Sequence, residues 1–112
     1  MAGFITIPNI LIKNRSRINR SIYIGDNTRR HSHKITIPPG HEYRWQAEIG
    51  VFEINALCVW IVDYAAGIRF DVYHGTSPES YHSMSVDLED HYVVHHGRRY
   101  SHANIRNHRK LC

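Results

Sequence analysis

The chain has 112 residues, with fourteen Lys or Arg, ten Asp or Glu, ten histidines and two cysteines. This length corresponds to one domain that can fold without a metal or a disulfide framework. Two cysteines are too few for the framework of a small secreted protein, and we interpret Cys58, which lies in an apolar run, as a core thiol. No stretch has the composition of a secretory signal or the length of a membrane span, so we expect a cytoplasmic protein.

The predicted elements, in chain order, are strands. Alternating apolar and polar residues, many of them β-branched or aromatic, predict strands at 4–12, 21–25, 33–37 and 42–46. The segment 51–64 begins with the same alternation and becomes apolar on both faces, which is typical of a central strand. Further strands are predicted at 68–73, 81–88 and 91–94. Eight short strands without convincing helical periodicity predict a single antiparallel β-sandwich, or a small barrel, over residues 1–97.

The last fifteen residues, 98–112, are predicted to be a basic, His- and Arg-rich tail without regular strand structure. Their apolar side chains are too few to offset the entropy lost on ordering, so deletion of the tail should hardly change the melting temperature. Residues 91–112 contain no carboxylate, and guanidinium groups pair well with phosphate and sulfate. The candidate polyanion-binding residues are Arg98, Arg99, Arg106, Arg109 and Lys110.

The histidines pose a separate question, because five of the ten lie in the segment 91–108. Imidazole has an ordinary pKa near 6.5, so we expect this end of the chain to gain charge and to bind polyanions or anionic membranes more tightly on acidification. As metal ligands, His31 and His33 could share an ion on one strand face, but the sequence that follows lacks a matching acidic ligand. We therefore expect no metal and no cofactor.

Catalysis is not expected either, since the chain has no P-loop and no nucleophile elbow. A binding site is expected instead on the loop between the predicted strands 68–73 and 81–88, because loops carry recognition residues and aromatic faces beside polar groups suit a sugar or a headgroup. The candidate ligand-binding residues are Tyr73, His74, Ser77, Glu79, Tyr81 and His82. Trp45, on another strand, is expected to fill the core.

The layout "IKNRS…SIYIG…KITIPPGHEYRWQ…GVFEI" resembles a family of small β-sandwich domains named for their up-regulation in long-lived nematode mutants. More distantly it is similar to the aegerolysin and actinoporin sandwiches, and the resemblance covers about residues 10–87. It implies a compact sandwich of a kind that is sometimes associated with lipid or sugar surfaces, with no catalytic residues. The amphipathic amino-terminal helix of the actinoporins has no counterpart here, so pore formation is not implied.

These observations together predict a non-catalytic binding module that recognises a glycan or an anionic surface, such as lipid headgroups or a polyanion, through loops of a β-sandwich. The alternative hypothesis is a nucleic-acid-binding or self-assembling structural protein that uses the cationic ends of the chain. A histidine-site enzyme is the third hypothesis. The sequence leaves open the identity of the ligand and the oligomeric state, including a homo-oligomer.

Overall fold

The computed structural model describes residues 4–6, 10–28, 31–46, 48–50, 56–74, 84–95 and 97–106, and at 4–6, 48–50, 74 and 84 it describes the backbone alone. These residues form eleven strands and one short helix. The elements are β1 (Phe4–Thr6), β2 (Ile10–Asn14), β3 (Arg20–Asp26), β4 (His33–Ile37), β5 (Glu42–Trp45), β6 (Glu48–Gly50), β7 (Cys58–Asp63), β8 (Ile68–His74), β9 (Met84–Leu88), β10 (Tyr92–His95), β11 (Arg98–Ser101) and α1 (His102–Arg106).

Nine of these strands form two packed sheets, which confirms the predicted all-β sandwich. The five-stranded sheet has the order β11-β10-β9-β2-β5, and the four-stranded sheet has the order β4-β3-β7-β8. The remaining strands, β1 and β6, pair with each other as an antiparallel ribbon. Among the described pairs, β2 and β9 run parallel and the others run antiparallel, so the sandwich is not purely antiparallel.

The core lies between the two sheets because alternate residues of each strand point inward. In β2, Ile10 and Ile12 are buried while Leu11 and Lys13 are partly exposed, and the alternation predicted from the sequence is therefore present. β7 occupies a central position between β3 and β8, as the apolar segment indicated. Trp45 is buried in the core, as expected.

Asn14 joins the two sheets near the end of β2. Its side-chain amide, which is buried, donates hydrogen bonds of 2.8 Å to the Ile18 carbonyl and 2.7 Å to the Ile37 carbonyl at the end of β4. Its Oδ1 accepts hydrogen bonds from the backbone N–H and the hydroxyl of Ser16. The β2–β3 loop is thereby fixed to both layers of the sandwich.

Arg20 joins the sheets at a second place and forms a buried ion pair with Asp63 within the four-stranded sheet. Arg20 is 1% exposed and Asp63 is 0% exposed, and Nε and Nη2 of Arg20 lie 2.9 Å and 2.6 Å from Oδ2 of Asp63. Nη1 of Arg20 donates to the carbonyl of Glu89, which follows β9 in the other sheet. The second oxygen of Asp63 accepts hydrogen bonds from the backbone N–H groups of Ala65 and Ala66. The pair is therefore well hydrogen-bonded, which a buried ion pair requires.

The expectation that the chain lacks regular strand structure after Arg98 is wrong. β11 pairs with β10, with His95 opposite Arg98, and Gly97, directly before β11, adopts a positive φ of 72°. The predicted boundary between residues 97 and 98 falls between these two paired strands. α1 follows directly, and its Ile105 is 0% exposed. The small number of apolar residues in this segment was misleading, because β11 is held by backbone hydrogen bonds to β10 and α1 is held by the complete burial of Ile105.

Cys58 is buried at the start of β7, but it is disulfide-bonded and is not the thiol expected from the sequence. The other cysteine in the sequence is Cys112, which lies outside the described residues. A disulfide depends on proximity in the fold, which the spacing of two cysteines does not reveal. Such bonds persist mainly in oxidising compartments, so this one does not support a cytoplasmic location, which stays a prediction.

Ile105→Ala should lower the free energy of unfolding by about 2–5 kcal/mol, because it removes a fully buried side chain and leaves a cavity. Asn104→Ala, at the exposed neighbouring position of α1, is the control and should change it by about 0.5 kcal/mol or less. Urea unfolding of the two variants measures the difference. Equal effects would mean that α1 does not pack into the core.

Candidate functional site

The outer face of the five-stranded sheet carries charges that neutralise one another. Arg15 lies 3.1 Å from Asp87, and Arg99 forms two contacts with Glu89, of 2.9 Å and 3.3 Å. Lys13 stands beside Asp87 in the parallel ladder. Positive and negative side chains alternate across this face, so it offers little net charge to a ligand.

The outer face of the four-stranded sheet has a different composition, with aromatic rings, hydroxyl groups and two cations. We call it the Trp60 face. Its members alternate along the strands with core residues, and four of them stand in one row across the sheet, in the order Lys34, Tyr23, Val62, Arg69. The face consists of Ser21, Tyr23, Lys34, Thr36, Trp60, Val62, Tyr64, Arg69 and Asp71, and the Asp71 side chain is buried.

Trp60 packs against the backbone of β3 because the opposite residue is Gly25. A Cβ atom at position 25 would overlap the indole atoms Cε2, Cζ2 and Nε1. The absence of a side chain at this position is therefore what allows the indole to lie against the sheet.

Arg69 is held over this indole. Its Cζ lies 5.2 Å from the centroid of the Trp60 ring, and its Nη2 lies 3.9 Å from Oδ1 of Asp71, which is buried. The arginine side chain is 33% exposed, so part of this side chain still faces solvent. Contact with an aromatic ring and a carboxylate restricts its conformations while leaving donors available.

The second cation of the Trp60 face is placed in a similar way. Nζ of Lys34 lies 5.2 Å from the centroid of the Tyr64 ring, and Tyr64 is 51% exposed. The hydroxyl groups of Ser21 and Thr36 lie beside them, 3.1 Å apart. These residues line a shallow depression of about 310 Å³.

The loop residues chosen from the sequence lie largely outside the described residues. Ser77, Glu79, Tyr81 and His82 are not described, and of His74 only the backbone is described. Tyr73, the remaining candidate, is 2% exposed, because a register shift between β7 and β8 pairs it with the buried Val59. Its ring is therefore not accessible to a ligand from solvent.

The cations proposed for polyanion binding do not converge where they are described. Arg98 is exposed on β11, Arg99 is paired with Glu89, and Arg106 donates hydrogen bonds to the carbonyls of Ala66 and Gly67. Arg109 and Lys110 lie outside the described residues. Two of the three described cations are thus used for contacts within the fold.

His31 and His33 are not arranged as metal ligands. Nδ1 of His33 interacts with the His31 carbonyl, and its Nε2 forms a short hydrogen bond with the hydroxyl of Tyr43, which lies on β5. This contact closes one edge of the sandwich between β4 and β5. In the described part of the chain, no three His, Cys, Asp or Glu side chains are grouped as a metal site requires.

His102 lies at a cavity of about 240 Å³ whose lining also includes Arg20 and Asp90. Its Nε2 is buried and has no hydrogen-bond partner among the described residues. Burial lowers the pKa of His102, and the charges of Arg20, Arg106 and His91 lower it further, outweighing the opposite effect of Asp63. His102 thus departs from the ordinary histidine titration expected for this end of the chain, and His95 is buried.

In comparisons with known proteins, no family model matches this chain and no curated protein matches it. The resemblance to small lipid- or sugar-associated sandwiches therefore stays a prediction. Among the described residues, no helix is long and apolar enough to cross a membrane.

The sequence pointed to neither Trp60 nor Arg69 as site residues. The segment that contains Trp60 was interpreted as apolar on both faces, although Trp60 and Val62 are partly exposed. Period-two alternation counted from the buried Val59 and Ile61 could have placed Trp60 outward. The pairing with Gly25 and Arg69 could not be found in this way, because it depends on strand neighbours.

Gly25→Ala should destabilise the fold by about 1–3 kcal/mol, because the added methyl group forces the Trp60 indole off the sheet. In a double-mutant cycle with Trp60→Ala, the effects should be clearly less than additive, since the clash needs both side chains. Urea unfolding monitored by circular dichroism measures all three variants. Full additivity would show that the two positions do not interact.

Acidification should destabilise the fold through His102. Because its folded-state pKa is lowered, its contribution is fully present above the unfolded value of about 6.5 and is lost as the pH falls through that value toward the folded pKa. Urea unfolding between about pH 7.5 and pH 5 should therefore show a smaller loss of stability for His102→Gln than for the wild type. His41→Gln, at an exposed position, controls for the substitution itself. An unchanged pH dependence in His102→Gln would contradict the interpretation.

Proposed function

We propose that this protein is a non-catalytic binding module that recognises an anionic glycan through the Trp60 face. The observation that carries the proposal is the placement of Arg69, which contacts Trp60 and Asp71 while a third of its side chain faces solvent. The site differs from the loop expected from the sequence, but the class of function is the same.

An arginine in this position is suited to an oxyanion. Its planar guanidinium presents parallel N–H donors that match a carboxylate or a sulfate ester in two-point contact. Because the ring and the Asp71 carboxylate already restrict the side chain, binding costs less conformational entropy than it would for a free arginine. Asp71 is buried, so at 3.9 Å it attracts the guanidinium without presenting its charge at the surface.

The surroundings of the two cations favour a sugar as the carrier of the anion. Hydroxyl groups of Ser21 and Thr36 lie beside Lys34 and the exposed Tyr64 ring. Such hydroxyl groups can hydrogen-bond the hydroxyl groups of a sugar, and this contact, unlike base stacking, does not need a free ring face.

Nucleic acid fits the same face less well. Single strands are bound mainly by stacking of bases on free aromatic faces, together with phosphate contacts. On the Trp60 face, Arg69 lies over the indole and Lys34 lies over the Tyr64 ring, so the cations already occupy positions where bases would stack. A membrane surface also fits this face less well. Among the described residues of the Trp60 face, Tyr64 is the only large hydrophobic side chain that is strongly exposed, and one such side chain provides little apolar area for insertion into a bilayer.

Isothermal titration calorimetry with a heparin-derived sulfated oligosaccharide tests the proposal. Arg69→Gln should weaken binding about tenfold or more, as expected when a charge-assisted hydrogen-bond donor is lost. Arg69→Lys, which keeps the charge but not the planar fork, should be intermediate. The matched control is Arg44→Gln, an exposed arginine of β5 in the other sheet, which should change affinity by about twofold or less.

Several outcomes would overturn the proposal. Equal loss in Arg69→Gln and Arg44→Gln would indicate diffuse attraction by net charge. Equal affinity for the desulfated oligosaccharide would show that the protein does not recognise the anionic groups. Tighter binding of single-stranded RNA, or of anionic vesicles, with the same loss in Arg69→Gln would assign the face to a phosphate ligand instead.

A further inference from the structure

We infer that the Trp60 face binds its ligand at two separate points, Arg69 and Lys34, and that the ligand is an oligosaccharide with anionic groups spaced to reach both. The inference rests on the proposed function and specifies it further. It follows from the distance between the two cations, from what lies between them, and from the chemical difference between them.

The distance follows from the sheet geometry. The rings beneath the cations, Trp60 and Tyr64, are four residues apart along extended backbone, which places their Cα atoms about 13 Å apart. Tyr64 directly follows β7, and its N–H donates to the Ser21 carbonyl, so the β3–β7 ladder continues to this residue. Across the strands, Lys34 and Arg69 stand at opposite ends of one row, three strand spacings or about 14 Å apart. These are backbone separations, and they exceed the span of a single sulfate or carboxylate, so we infer two separate anionic groups.

Uncharged side chains separate the two points. Tyr23 and Val62 occupy the positions between Lys34 and Arg69 in the row. Among the described residues, this face is therefore not a continuous cationic patch but two cations with a partly apolar surface between them. A sugar ring between two anionic substituents presents a matching surface of C–H and hydroxyl groups.

The two points should make unequal contributions. Arg69 is restricted by Trp60 and Asp71, so it selects an oxyanion in a particular orientation. Lys34 is an exposed point charge on a flexible stem and accepts a wider range of positions. Arg69 should thus be needed by every anionic ligand of this face, whereas Lys34 should add affinity only for ligands long enough to reach it.

Binding of one molecule at two points makes the second contact intramolecular, and this raises affinity once the ligand spans both. The experiment is a calorimetric titration with a size series of heparin-derived oligosaccharides, from disaccharide to octasaccharide. For the wild type, affinity should rise by about tenfold or more between the last size that reaches one point and the first that reaches both.

The variants separate the two points. Lys34→Gln should remove the rise and leave the shortest ligands with nearly wild-type affinity, whereas Arg69→Gln should weaken all sizes. Arg44→Gln, on the opposite sheet, should retain the rise. Its melting temperature, and that of Lys34→Gln, should match the wild type because both positions are exposed. Arg69→Gln removes the cation beside the buried Asp71, so its melting temperature should fall, and circular dichroism at the titration temperature verifies that it is folded.

The results distinguish failure of this inference from failure of the proposed function. If the wild type binds no member of the series, the proposed function itself is wrong. Binding that depends on Arg69 but increases only gradually with size, or an abrupt rise that persists in Lys34→Gln, overturns two-point binding and leaves the proposed function standing.

Discussion

The buried ion pair between Arg20 and Asp63 is the constraint on which the rest of this sandwich depends. Two charges removed from water are costly unless nearly every donor and acceptor is satisfied, and loss of either partner would leave an uncompensated charge in the core. Here the guanidinium binds Asp63 and the Glu89 carbonyl, so it spans both sheets. The carboxylate also accepts two backbone N–H groups of the turn after β7. Sheet packing and turn conformation are thereby fixed together.

The turn after β7 contacts both the Trp60 face and α1. Tyr64 begins this turn, and its ring contacts Nζ of Lys34 on the Trp60 face. The carbonyls of Ala66 and Gly67 in the same turn accept hydrogen bonds from Arg106 of α1. The C-terminal helix therefore supports the turn that bears Tyr64, although it lies away from the proposed ligand. His102 lies beside Arg20 of the same ion pair, so the acid sensitivity that we expect from His102 would act close to this turn.

Charges are segregated in the sequence, since nine of the ten carboxylates lie in an acidic middle between Glu42 and Asp90. Cations of the amino-terminal part pair with carboxylates of the acidic middle, as Arg15 does with Asp87 and Arg20 with Asp63. Near the other end, Arg99 pairs with Glu89. These ends are cationic in the sequence but partly neutralised in the fold. The exposed cations that the proposal uses, Lys34 and Arg69, were not distinguished by charge density, since Arg69 lies within the acidic middle.

The sequence by itself determined the fold class and much of the inside-outside pattern, because alternation with period two is a local property that strand geometry imposes on each segment. It therefore predicted the alternation seen in β2 and the burial of Trp45. Only the tertiary structure decided what depends on partners distant in the chain: the strand formed by residues 98–101 beside β10, and the contact of Trp60 with Gly25, thirty-five positions earlier. The alternation within a segment predicts on which face of the sheet a side chain lies, but strand order and register decide which residues that side chain contacts.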